Sequence, residues 1–364
     1  MDYYMPENPS TPDVSLISAQ ELRRGRIHSA RRGISRLFIA LSVFFAITYT
    51  IIYAAAIVLA MLGPDTYEKY AEDATFNLLL SSVSMYLIAF PIFFLIIFKM
   101  PKGVREKSKL SFGDFLIALC ISEAVMQIGN VIGVVLMGII EAFAGESIPN
   151  GTIELVSELP TELMLLVAVV IGPIVEELMF RRLLIDRLSV HGDMFAIIVS
   201  AVAFGIFHQN IYQLFYATLL GAVLGYVYVK TRRIIYPILL HVTINFIGSY
   251  VALFVQDCLN RLLEISEQIM ASENPSFDLV LEMIVPALVL IAYSTVIYGM
   301  IAVGVVFFII KLKKRKLSVS RECPRPLDRG GLVKATLTSV GVIIYLAFSM
   351  ILTLSSIITP LITQ

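Results

Sequence analysis

Charge is scarce in this chain of 364 residues. Only 15% of them are Asp, Glu, Lys or Arg, against about 25% in a soluble domain. That scarcity excludes an ordinary water-soluble fold. Hydrophobic residues make up 58%, and the mean hydropathy is +0.84. Neither sign of charge dominates, with 28 basic and 28 acidic residues, so the balance gives no hint of nucleic-acid binding. Cysteine is nearly absent. Cys120, Cys258 and Cys323 are odd in number, widely spaced and form no CxxC pair. They offer no disulfide framework and no structural zinc site. Residues 1–22 lack the apolar core of a signal peptide, so no cleavable signal is expected and the first apolar run is read as an uncleaved anchor. Leu361-Ile362-Thr363-Gln364 is not a prenylation box. Internal repeats and low-complexity segments are also missing.

What is present is a series of apolar runs long enough to span a bilayer. Backbone in hydrocarbon must satisfy its own polar groups, which favours helices. The fold class predicted is an all-α polytopic membrane protein of about nine transmembrane helices, with a polar active site between the central ones. The runs are Leu37–Leu62, Asn77–Phe98, Phe115–Ile140, Glu162–Leu184, Met194–His208, Ile211–Val229, Ile234–Val255, Leu279–Ile310 and Ala335–Ile358. All reach roughly 17 residues except the fifth, which is short. Residues 1–13 read as disordered.

Basic connections alternate with non-basic ones. Ser15–Arg36, Lys99–Lys109, Arg181–Arg187, Lys230–Arg233 and Lys311–Lys334 are basic, while Glu141–Glu162 and Asp257–Asp278 are acidic. The positive-inside rule then puts the N-terminus inside and the C-terminus outside. Four parts are expected. Residues 1–36 form a basic cytoplasmic segment and 37–109 two accessory helices. Residues 110–256 form the core, and 257–364 two further helices with a basic loop. Gly129 with Gly133, and Gly221 with Gly225, are small-residue pairs that let helices approach closely.

The apolar runs carry a few expensive residues. Glu176 and Glu177 lie inside the fourth, where a charge costs roughly 2.5 kcal/mol or more at the bilayer centre. As helical neighbours they point about 100° apart. Arg181 follows Glu177 by four residues, a spacing that favours an ion pair on one face. Glu176 is then left to face a cavity. A purely structural ion cluster would use the same three residues. His208 closes the fifth run. His241 and Asn245 share one face of the seventh, aimed at something polar or at a neighbouring helix. Counted from Leu184, Glu176 lies roughly 10 Å and His208 roughly 20 Å from one membrane face, an offset that needs explaining.

Glu176-Glu177-x-x-x-Arg181, Phe204-x-x-x-His208 and His241-x-x-x-Asn245, in this order on successive apolar runs, resemble the CPBP family. That family comprises the type II CAAX prenyl endopeptidases and the bacteriocin-processing and immunity proteins. The resemblance covers roughly residues 110–250. It implies an intramembrane endopeptidase. Glu176 and His208 would activate a water, and His241 and Asn245 would stabilise the oxyanion. Glu177 and Arg181 would hold the site in shape. The substrate would be a membrane-embedded or lipidated peptide, as in CAAX-type processing or bacteriocin or pheromone maturation.

No cofactor is favoured. There is no HExxH zinc helix, and an asparagine is a good amide donor but a poor zinc ligand. Zinc held by Glu176, Glu177, His208 and His241 is the other possibility. A non-catalytic scaffold that binds other membrane proteins is the competing function. A proton-coupled transporter fits less well without internal repeats. The expected location is the cell membrane, as a multi-pass protein.

Overall fold

The computed structural model describes residues 14–103, 106–151, 157–272, 276–314, 319 and 327–363. The segment 1–13 expected to be disordered, Cys323 and much of the 311–334 loop lie outside the described residues. Everything regular among the described residues is helical. Helix α1 (Val14–Met61) is one rod of 48 residues, so the basic segment and the first span are continuous. It stops where Gly63 takes φ 122° and Pro64 opens the short α2 (Pro64–Ala71). Asp73 caps α3 (Ala74–Ile97) by accepting from Phe76 N–H. Ser111 caps α4 (Phe112–Ala144), and Gly145 at φ 79° ends it. Then come α5 (Thr161–His191), α6 (Asp193–Phe207), α7 (Ile211–Thr231), α8 (Ile235–Ala271), α9 (Phe277–Lys313), α10 (Arg329–Leu337) and α11 (Val340–Thr363).

Eight of these helices are long and apolar enough to cross a membrane. The chain is a multi-pass membrane protein. The expected fifth span is the exception. Helix α6 has 15 residues, about 22 Å of helix against a hydrocarbon core near 30 Å. Ala196, Ile197, Ala201, Ala203 and Phe204 on it are buried, so protein rather than lipid surrounds most of its length.

Helix association in a bilayer rests on close packing, not on expelling water. Both glycine pairs serve that packing. A Cβ on Gly133 would come within 2.9 Å of the Tyr212 carbonyl, and one on Gly129 would collide with the Tyr216 backbone, so α4 lies directly against α7. Gly221 and Gly225 do the same for α7 against Ala201 and Ile197 of α6. One apolar core joins α1, α3, α5, α6, α7 and α11. In it Phe45 of α1 stacks between Phe207 and Tyr345, at 5.0 and 5.9 Å. Tyr345 donates a hydrogen bond to the Ala203 carbonyl at 2.8 Å. The first and last spans therefore brace the helix that ends at His208.

The Arg181–Arg187 stretch, expected to be a basic connection, is buried helix. Arg181, Asp186 and Arg187 are each at least nine-tenths buried, because α5 runs on to His191. Arg187 donates to the carbonyls of Ile97, Phe98 and Leu183.

Candidate active site

Helix α5 is not uniform. The α-helical turn Gly172–Glu177 is flanked by wider π-helical stretches, Leu165–Ile171 and Leu178–Ile185. Such widening often marks functional sites. Pro173 helps to explain it. In the π register the Ala168 carbonyl would accept from residue 173, which has no N–H. Asn245 of α8 donates to that carbonyl instead, Nδ2 to O at 3.0 Å. Asn245 thus meets an orphaned backbone group on the neighbouring helix. One of its two amide hydrogens remains.

Four residues earlier on α8, His241 faces the paired glutamates. Its Nδ1 lies 2.9 Å from Glu177 Oε1 and its Nε2 3.8 Å from Glu176 Oε2. The Glu177 and Arg181 side chains are both fully buried, with Nε 3.0 Å from Oε2. That contact lies off the N–H direction, so neither atom completes a hydrogen bond, and both terminal guanidinium nitrogens also lack an acceptor. The Arg181 guanidinium instead sits 4.4 Å from the Phe204 ring centroid, a cation–π contact in a dry setting. The glutamate with less shelter is Glu176, whose side chain is 17% exposed.

His208 caps the end of α6. Its Nδ1 lies 2.9 Å from the Phe204 carbonyl. A carbonyl can only accept, so Nδ1 carries the proton and a neutral ring presents a bare Nε2. The Phe204 ring stands edge-on to His208 and His241, at 4.9 and 5.7 Å. This phenylalanine links all three motifs. The Glu176 carboxylate acts electrostatically on His208. The depth offset between them disappears with the length of α5. Glu176 is 15 residues from His191, and His208 follows Gly192 by 16. Both lie about 22–24 Å along their helices from the same turn.

The site thus gathers Glu176, Glu177, Arg181, His208 and His241, with Asn245 one turn along α8. A bond from the His241–Asn245 face to a neighbouring helix was one of the two readings of the sequence; its partner, the Ala168 carbonyl, was not anticipated, although Pro173 five residues on was a readable signal. Sequence reasoning also did not anticipate Tyr86 and Tyr216, on which the Glu176 charge acts. Nor did it find the 530 Å³ cavity beside Asn245 and Tyr216, lined also by Glu123 and Gln127. Glu176 is not in the wall of that cavity, nor of the 340 Å³ one beside His208. Of the four residues weighed as zinc ligands, Glu177 is engaged by Arg181 and His241. Among the described residues no three His, Cys, Asp or Glu side chains are grouped to hold an ion. No step below runs through one.

These three motifs, in this order on membrane-type helices, make the central segment of this chain similar to the CPBP family of polytopic membrane proteins. Residues 159–247 match the family model described as type II CAAX prenyl endopeptidase Rce1-like. Among curated proteins, "Putative membrane peptidase YdiL" of Bacillus subtilis (strain 168) is 36% identical over 84 residues. That stretch is 23% of this chain, and the chain spans about a third, 34%, of the curated relative it matches. No solved structure matches the chain.

Proposed function

We propose that this protein is an intramembrane endopeptidase that hydrolyses a peptide bond of a membrane-embedded or lipidated peptide. The supporting observation is the setting of Glu176. It is the more open of two adjacent carboxylates, and it stands beside two imidazoles whose Nδ1 atoms are already engaged. In this reading residues 110–256 carry the chemistry.

Glu176 and His208 hold a water between them. Glu176 takes its proton as the water oxygen bonds to the scissile carbonyl carbon. The carbonyl becomes an oxyanion, which the second Asn245 amide hydrogen and the His241 ring meet. Glu177 accepts from His241 Nδ1 and fixes the ring; to meet the oxyanion the ring must also carry a hydrogen on Nε2, with Glu177 as its counter-charge. Glu176 then returns its proton to the departing amine nitrogen as the carbon–nitrogen bond breaks.

Glu176→Gln tests this. The variant keeps size and hydrogen bonding but cannot accept the proton. Purified in detergent and given a lipidated peptide that the wild type cleaves, it should lose about 100-fold to 10,000-fold in rate while keeping its melting temperature. Cleavage at the wild-type rate would remove the endopeptidase reading and favour a scaffold for other membrane proteins.

A further inference from the structure

Glu123 is a second intramembrane carboxylate, and the chemistry above does not use it. It is 7% exposed, on α4. It lines the 530 Å³ cavity with Gln127, Gln213, Asn245 and Gln256. Its hydrogen-bond partner is Gln127 Nε2 at 3.1 Å. No lysine, arginine or histidine lines the cavity, and among the described residues no cation pairs with Glu123. A buried carboxyl with no cation of the fold beside it is a place for a cation from outside the fold. The space is within the range of a ligand site. The side-chain amides around it offer donors and acceptors suited to an extended peptide backbone. One of its lining residues, Asn245, reaches the helix that carries the paired glutamates, through its bond to the Ala168 carbonyl.

We propose that this cavity is a substrate subsite for a basic side chain. An ammonium or guanidinium group pairs with Glu123 while the flanking peptide backbone lies along the amides. The assignment rests on the endopeptidase reading and adds to it a preference in substrate: a Lys or Arg held at a fixed distance from the scissile bond. Gln127 steadies the carboxylate from the next turn of α4. An amine headgroup of a membrane lipid has the same chemistry and is the rival occupant.

The test measures binding, so that it does not depend on cleavage. A dansyl-labelled apolar peptide with one central Lys, and its norleucine twin, are titrated by anisotropy against Glu176→Gln protein in lipid-free detergent. The Lys peptide should bind about tenfold tighter or more. With Glu123→Gln added the ratio should fall to about one, because glutamine keeps the Gln127 contact and loses the charge. Equal binding of the twins with Glu123 intact overturns the subsite, whether or not Glu123→Gln folds. A ratio unchanged by Glu123→Gln overturns it also. In nanodiscs, weakening of the Lys peptide by phosphatidylethanolamine but not phosphatidylcholine, seen only with Glu123 present, would give the cavity to lipid. A charge-dependent ratio in a protein whose wild type cleaves nothing would sink the endopeptidase and leave the cation site standing.

Discussion

Two clusters of buried charge sit on the same helix, and they differ in how completely they are satisfied. Toward the end of α5, Asp186 accepts from the Tyr228 hydroxyl at 2.8 Å and from Arg182 at 3.1 Å. Arg232 donates to Asp193 at 2.6 Å and approaches Asp186 at 3.5 Å. Arg187 reaches three backbone carbonyls. Arg232 Nε is the main loose end. Less than three turns away, Glu177 and Arg181 are more deeply buried yet poorly bonded, and Glu176 stands 3.8 Å from its histidine. The saturated cluster ties helix ends together. The unsaturated one has donors and acceptors left over, as the proposed reaction requires. A buried polar group left short of partners asks for such an explanation.

Substitutions should separate the two. The largest effect is expected at His208→Ala, with cleavage down about 100-fold to 10,000-fold and thermal stability held. Loss of folding there instead would make His208 structural. Asp186→Ala should do the reverse. It leaves the buried Tyr228 hydroxyl without its acceptor, while Arg232 keeps Asp193, and should destabilise by about 1–3 kcal/mol, read as a lower unfolding midpoint, with the cleavage rate of the folded protein unchanged. Asn245→Ala belongs to both kinds. It removes one oxyanion donor, worth about 100-fold or more in rate, and leaves the Ala168 carbonyl without a partner at about 1–3 kcal/mol. A stability change without a rate change would make Asn245 a brace only. A chelator should leave the rate unaltered, whereas loss restored by zinc would bring a metal into the mechanism. The smallest effect is expected at the exposed Arg23–Asp328 pair. A hydrogen bond from Arg23 holds the Asp328 carboxyl below the usual range. Its contribution is present above about pH 4 and lost as pH falls through the lower folded value. Asp328→Asn should leave the midpoint at pH 7 within error, and a clear shift would show that the pair anchors α10.

Much of this contrast was legible in the sequence, because it depends on spacing. Glu177 and Arg181 four apart, and His241 and Asn245 four apart, fix faces on helices whatever the tertiary fold. The apolar runs gave the spans for the same reason. What stayed hidden depends on neighbours distant along the chain. Composition marked Arg181–Arg187 as a basic connection; Arg182 and Asp186 also stand four apart, but nothing local reveals that the carbonyls of Ile97 and Phe98 take Arg187 or that Tyr228 and Arg232 join Asp186. Charges absorbed internally also carry less weight in assigning which side each helix end faces. Glu123 lies in the first half of the apolar run Phe115–Ile140, but its cavity is made by α4, α7, α8 and α9 together.

The bond from Asn245 to the Ala168 carbonyl also has a meaning for biogenesis. Its two ends lie 77 residues apart. At 5–20 residues per second, about 4–15 s of synthesis separate them. Throughout that interval α5 has emerged with a proline-orphaned carbonyl, two glutamates and an arginine, and lacks the helix that meets them. The cluster of Glu176, Glu177, Arg181 and His241 is therefore completed by a helix made after its partner, and a chain that stops short of α8 lacks both His241 and Asn245.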